Sequence, residues 1–537
     1  MVDDLSGIEP RQLWGHFNEL RKIPRCSKDE RKAAEYVLSV GRRLRFDSEM
    51  DRAGNVVVRK AATPGRESSP GVLLQAHLDM VCEKNRDNDH DFLTDPIEVV
   101  VEGGFVSAVG TTLGADNGIG VAAALAVLED PRAVHGPLEL LFTVDEEDGM
   151  SGAKGLEVGQ ISAKMMINLD TDDPHAVYVG CAGGETSNLR LPVGWVRPDQ
   201  AASVAFEVSL LGLRGGHSGV DIHLERGNAI KLLGHLLWVA GGRVSLGLSS
   251  LRGGDKHNAI PREAEAVVVV PGDEAEAFRS LVEEMGRTLQ EEYRVVDPGL
   301  SVSVSAVKMP VKVATPEGSR RAIGLVAALQ SGVLRWSPEI PDLVETSTNL
   351  SVASTGEDEI FLQTASRSSS KAGLETTTAA IRAAAALAGA GVERGERYPG
   401  RLPVLDSKLL LACKLAHRDL FGREPDVRSI HAGLEMGILG EKFPEMDMVS
   451  LGTTIEHPHS PAERVKISAV AEFYRFLLVA LEKVSEMEWR EGWGGALSAE
   501  GPRDELQGSE DRSKMNRGSY ISSPGSPCRS PRASWVG

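Results

Sequence analysis

The sequence predicts an α/β fold: a mostly parallel central sheet, interrupted by an inserted α+β domain. Short continuous apolar runs at Val72-Leu73-Leu74, Leu138 to Val144 and Met165 to Leu169 read as strands buried on both faces. The Ala-rich stretch Ile119 to Leu128, between the first two, reads as a buried helix, and strands alternating with helices imply a parallel sheet. Residues 203–211, 264–270 and 300–308 instead alternate apolar and polar side chains, as half-buried strands do.

In chain order, residues 10–46 carry helical periodicity, with Leu13, Phe17 and Leu20 on one face and Ala34, Val37, Leu38 and Leu44 following. The three buried runs come next. Helical segments at Asn228 to Val239 and Glu274 to Leu289 punctuate the alternating strands. Lys408 to Phe421 reads as a helix, Met446 to Leu451 as a strand and Ser468 to Val484 as an amphipathic helix. The expected units are 1–186 and 400–490 for the main domain, 187–399 for the insertion and 491–537 for a disordered tail. That tail is rich in Gly, Ser, Pro and mixed charge, too poor in apolar surface to order itself.

The chain has 537 residues and a formal net charge of -18, which argues against nucleic acid or an anionic membrane as a partner. Its five cysteines (Cys26, Cys82, Cys181, Cys413 and Cys528) are sparse and lack CxxC spacing. No disulfide framework is expected, and a cytoplasmic location fits. Met1-Val2-Asp3-Asp4 is acidic with no apolar stretch behind it, so no secretory signal is expected.

Each buried run ends in acid or histidine: His77-Leu78-Asp79, then Asp145-Glu146-Glu147, then Asp170. Sites in open parallel sheets form beyond the carboxyl ends of the strands. Carboxylates converging there repel one another, and a divalent cation removes that cost. His77 and Asp79 are two apart and share a strand face, so Asp79 is placed to accept the spare ring N–H of a metal-bound His77. Asp116-Asn117-Gly118 precedes the Ala-rich helix, and on its own Asp116 reads as a helix N-cap. Glu146 and Glu147 are adjacent, so one can bind metal while the other moves a proton. His459 stands in a Pro-rich loop, with His457 as a local competitor.

These residues also resemble a known family. Ala76-His77-Leu78-Asp79-Met80, Gly110 to Gly118, Glu146 to Met150, Asn168-Leu169-Asp170, Arg214 to Gly219, His431 to Glu435 and His459-Ser460-Pro461 stand in the order found in the aminoacyl-histidine dipeptidases, also called cytosolic non-specific dipeptidases. The resemblance covers about residues 10–488. It implies a zinc-peptidase catalytic domain with a lid and dimerisation domain inserted. It implies two zinc ions, with manganese or cobalt as substitutes: one on His77 and Asp170, one on Glu147 and His459, with Asp116 bridging. Asp79 would orient His77, and Glu146 would be the general base of a metal-bridged hydroxide. His217 would stabilise the oxyanion, in related dimers from across the subunit interface. Arg367 would grip the substrate carboxylate, with Asn258 and Glu435 as further substrate contacts. The expected activity is dipeptide hydrolysis by a homodimer. Rival readings are an aminoacylase or tripeptidase of the same superfamily, and a non-catalytic scaffold.

Overall fold

The computed structural model describes residues 4–487. The expected tail, 491–537, lies outside them.

An eight-stranded sheet carries the residues singled out above. Its order is Asp47–Met50, Val56–Lys60, Leu138–Thr143, Val72–His77, Met165–Thr171, Asp447–Gly452, Ala176–Cys181 and Asp426–Ile430. The Val72–His77 strand pairs in parallel with both Leu138–Thr143 and Met165–Thr171, and Asp447–Gly452 pairs in parallel with Met165–Thr171. Val72–His77 and Leu138–Thr143 are buried along their whole length, which is why apolar residues predominate in them, with Gln75 and Glu139 as buried polar exceptions. Helices Arg11–Leu20, Ala115–Glu129, Lys408–Phe421 and Ile467–Ser485 supply Phe17, Leu125, Cys413 and Phe473 to the core on one face. Met436 and Leu439 of the helix Glu435–Lys442 pack on the other face with Leu73 and Leu141.

A second, nine-stranded sheet is drawn from residues between Gly183 and Tyr398 and is antiparallel at its pairings. Its own core centres on Phe206, Leu233, Val268 and Phe278. The alternating strands appear as Ser203–Leu211, Ala264–Pro271 and Ser301–Val307. Two long strands that hydrophobic patterning misses, Val344–Thr355 and Glu359–Ser368, form a hairpin in this sheet. Val344–Thr355 is buried yet polar. Thr346 bonds Ser368 at 2.8 Å, Thr348 bonds Ser366 at 3.0 Å, and Asn349 donates to the Ala259 carbonyl at 2.8 Å. Paired hydroxyls and amides let such a strand be buried without apolar side chains.

One cysteine pair departs from the reading without disulfides: Cys26 is bonded to Cys82, their Cα atoms 5.7 Å apart. The 56-residue separation hides that closeness in the sequence. Cys181 and Cys413 are free and buried. Among the described residues, no helix is long and apolar enough to cross a membrane.

Candidate metal centre

The carboxyl ends of the parallel strands meet in one cleft, of about 460 Å³, lined by His77, Asp116, Glu146, Glu147, Asp170 and His459 among others. His77 ends its strand, and its Nε2 lies 3.3 Å from one oxygen of Asp116 and 3.4 Å from Asp170. The Nε2 of His459 lies 3.3 Å from the other oxygen of Asp116 and 3.0 Å from Glu147. One carboxylate thus faces both histidines. His77, Asp116 and Asp170 form one group whose ligand atoms all lie within 4.8 Å of one another, and Asp116, Glu147 and His459 form a second. A third such group joins His77 to Glu146 and Glu147. Imidazole nitrogens and carboxylate oxygens at this density suit a divalent cation such as zinc. The Glu147 oxygen nearest His459 is buried, with that ring nitrogen 3.0 Å away.

The Asp116 side chain does not cap the Ala-rich helix. The backbone is non-helical at Asp116 (φ -82°, ψ 110°) and Asn117 (φ -106°, ψ 30°), the regular helix follows them, and the Asp116 carboxylate faces His77 and His459 instead. The chain turns the carboxylate inward because Glu463 grips the backbone before it. Its two oxygens accept the N–H groups of Leu113 (2.8 Å), Gly114 (3.0 Å), Ala115 (2.7 Å) and Asp116 (3.3 Å). Buried Arg25 donates to the carbonyls of Leu78 and Asp79, each at 2.9 Å, and to that of Gly114. Neither Glu463 nor Arg25 is visible in the sequence, because their partners are backbone groups of distant segments.

Asp79 makes the contact its spacing predicts, and others besides. One oxygen lies 3.2 Å from His77 Nδ1. The same carboxylate accepts the N–H groups of Glu146 (3.0 Å) and Glu147 (3.1 Å), and the Ser27 hydroxyl at 2.7 Å. It therefore aims the histidine and the glutamate pair together. Asn117 donates to Asp170 at 2.5 Å. His457 is exposed and stands in none of the three groups, which leaves His459 as the ligand candidate.

Burial works against the charged His77 ring, but Asp170, Asp116 and Asp79 outweigh it and hold its pKa well above the usual value. His459 is likewise pushed up to about 11: burial opposes its charge, and Asp116 and Glu147 favour it more. Burial lifts the Glu146 carboxyl well above the ordinary range, against the pull of His77. A proton on each ring and a divalent cation compete for the same space between nitrogen and carboxylate.

His217, in the loop Gly215–Gly219, lines the cleft of its own chain. Its Nδ1 accepts the N–H groups of Gly219 (3.3 Å) and Val220 (3.0 Å), so the proton of the neutral ring sits on Nε2. Burial and the Arg367 charge lower its pKa to about 4. The other three expected substrate residues do not line the cleft. Arg367 is buried behind Gly219 and donates to the Tyr398 hydroxyl at 2.8 Å. Asn258 accepts the Ser218 N–H on its backbone oxygen at 2.8 Å. Glu435 is fully buried beneath the cleft, accepting from Gln75 and Thr143 at 2.6 Å each.

A parallel sheet with a carboxylate-rich centre at its strand ends defines a class, and the match is direct: the peptidase family M20/M25/M40 covers residues 73–483, and the chain belongs to that family. It is an enzyme of the peptide-hydrolase type. Over 485 residues it is 39% identical to the cytosol non-specific dipeptidase of Escherichia coli K12, covering 90% of this chain and 99% of that one. The crystal structure of aminoacylhistidine dipeptidase from Vibrio alginolyticus superposes with a TM-score of 0.83 at 39% identity, covering 89% of this chain and 98% of that one. An aminopeptidase from Bacillus cereus shares the fold at 17% identity and a TM-score of 0.53, with 89% and 100% covered.

Proposed function

We propose that this chain is a metal-dependent dipeptidase that holds two divalent cations, zinc by preference, around Asp116. One observation carries the reading: the two oxygens of Asp116 each lie 3.3 Å from a different histidine. The full-length likeness to two dipeptidases supports dipeptides as substrates. His77 and Asp170 would hold one cation, Glu147 and His459 the other, and Asp116 both. When bound, the cations polarise the scissile carbonyl and acidify water toward neutrality.

The residues of the chain do the rest. Asp79 fixes the His77 tautomer through its 3.2 Å bond to Nδ1. Glu146 takes a proton from the attacking water and returns it to the leaving amine. Its raised pKa suits it to carry that proton between steps. His217 donates its Nε2 proton to the carbonyl oxygen as negative charge develops there. Arg367, Asn258 and Glu435 stay substrate-side candidates through the His217 loop and the cleft floor. Residues 187–399 are proposed as lid and homodimer surface, and the cytoplasm as location.

The test is hydrolysis of carnosine, alanyl-alanine and N-acetyl-alanine after chelation and metal-by-metal reconstitution. Dipeptide turnover restored by zinc supports the reading. Turnover of the N-acetyl amino acid alone would favour an aminoacylase, and none at all would favour a scaffold.

A further inference from the structure

Arg25 and Glu463 lie outside the cleft lining, each only 2% exposed, and among the described residues neither forms a salt bridge. Burying a charge without a counter-ion is costly. Both charges are spent on backbone, and both hold the same segment, Leu113 to Asp116. They tie it to different parts of the metal centre. Strands Ile455–Glu456 and Arg464–Lys466 pair antiparallel, and the hairpin tip between them carries both His459 and Glu463. The Glu463 N–H donates to the Ser460 carbonyl at 3.0 Å, which keeps the two side chains in one tight turn. From that tip His459 Nε2 lies 3.3 Å from an Asp116 carboxylate oxygen. The Glu463 carboxylate accepts the N–H of Asp116 and of the three residues before it. One hairpin therefore holds residue 116 by side chain and by backbone.

Arg25 makes the matching link to the other histidine. It donates to the carbonyls of Leu78 and Asp79, just beyond the His77 strand, and to that of Gly114. Its own carbonyl accepts the Met80 N–H at 3.1 Å. Gly114 and Gly118 leave it room: a Cβ on them would stand 2.5 and 2.7 Å from the guanidinium. The spacing of each histidine from the shared Asp116 carboxylate thus depends on a different clamp. We propose that the two are positioning residues with divided labour. Glu463 sets the cation site of Asp116, Glu147 and His459, and Arg25 that of His77, Asp116 and Asp170. The inference rests on the two-cation reading, and it means that each site can be loosened alone.

The test measures zinc affinity, by competition with a chelating dye, in proteins reduced to one site. His77→Ala leaves the His459 site, and His459→Ala leaves the His77 site. Adding Glu463→Gln should weaken zinc about 10- to 100-fold in the His77→Ala protein, the usual cost of losing a contact that orients a ligand. The same change should leave zinc affinity unaltered in the His459→Ala protein. Arg25→Lys, which keeps the charge and loses donors, should do the reverse. Where circular dichroism shows Glu463→Gln unfolded, Glu463→Asp decides: its shorter reach should weaken the same site alone, by a smaller factor. Equal weakening in both single-site proteins overturns the proposal, because a merely structural role predicts that result. Unchanged affinity in both, or a crossed pattern, overturns it as well. Equilibrium dialysis of wild type keeps the two readings apart. Fewer than two zinc ions per chain would sink the two-cation reading and the inference with it. Two zinc ions with equal weakening would sink the inference alone.

Discussion

Four histidines line or back the cleft, and they divide by wall. On the sheet side, His77 and His459 have raised pKa values, the latter about 11. On the other side, His217 is lowered to about 4 and His431 to about 3. Burial disfavours charge on all four. What differs is the company: four carboxylates, Asp79, Asp116, Glu147 and Asp170, surround the first pair, whereas the Arg367 guanidinium adds to burial on the second. The sheet wall thus gathers imidazoles among carboxylates, a set that suits a cation, whereas the facing wall keeps its imidazoles neutral. The same residue type is held in opposite charge states because its neighbours differ.

The comparison can be broken at either wall. The largest effect is expected for Asp116→Ala, which removes the carboxylate that both histidines face. Elemental analysis should find both metals gone and activity abolished, and retention of two metals would refute the shared role. Glu146→Gln should keep its metals and lose about 10²–10⁴-fold in kcat. On the facing wall, His217→Gln should cost about 10²–10³-fold in kcat, the usual loss of one oxyanion donor, again with metals retained.

The two walls should also respond to pH in opposite windows, seen in thermal melts of the chelated protein. A histidine with a raised folded pKa stabilises fully below its unfolded value, near 6.5, and that contribution fades as pH climbs toward about 11 for His459. A lowered one stabilises fully above about 6.5, and its contribution is lost as pH falls through about 4 for His217. Adding zinc should abolish the alkaline loss and leave the acid loss in place, because the metal replaces the protons of the first pair alone. A zinc-insensitive alkaline limb would contradict the assignment. The smallest effect on catalysis is expected for Cys82→Ser. It should lower unfolding free energy by about 2–4 kcal/mol in denaturant melts, with kcat nearly unchanged, because neither cysteine lines the cleft.

By itself, the sequence determined the acid-tipped strands and the helices between them. A parallel strand covered on both faces is mostly apolar, with a buried polar residue such as Gln75 or Asn168 kept by a hydrogen-bond partner, and its polar end marks the mouth of the cleft. The spacing of His77 and Asp79 also foretold their bond, because strand geometry is local. Tertiary structure alone decided the rest. Asp116 reads locally as a helix cap, and only Glu463 and Arg25, holding the backbone around it from far away in sequence, turn it toward the histidines. The Val344–Thr355 strand escapes pattern reading because its buried side chains are polar and satisfy one another. The Cys26–Cys82 bond and the opposite charge states of the two histidine pairs are likewise properties of neighbours in space, which spacing along the chain does not record.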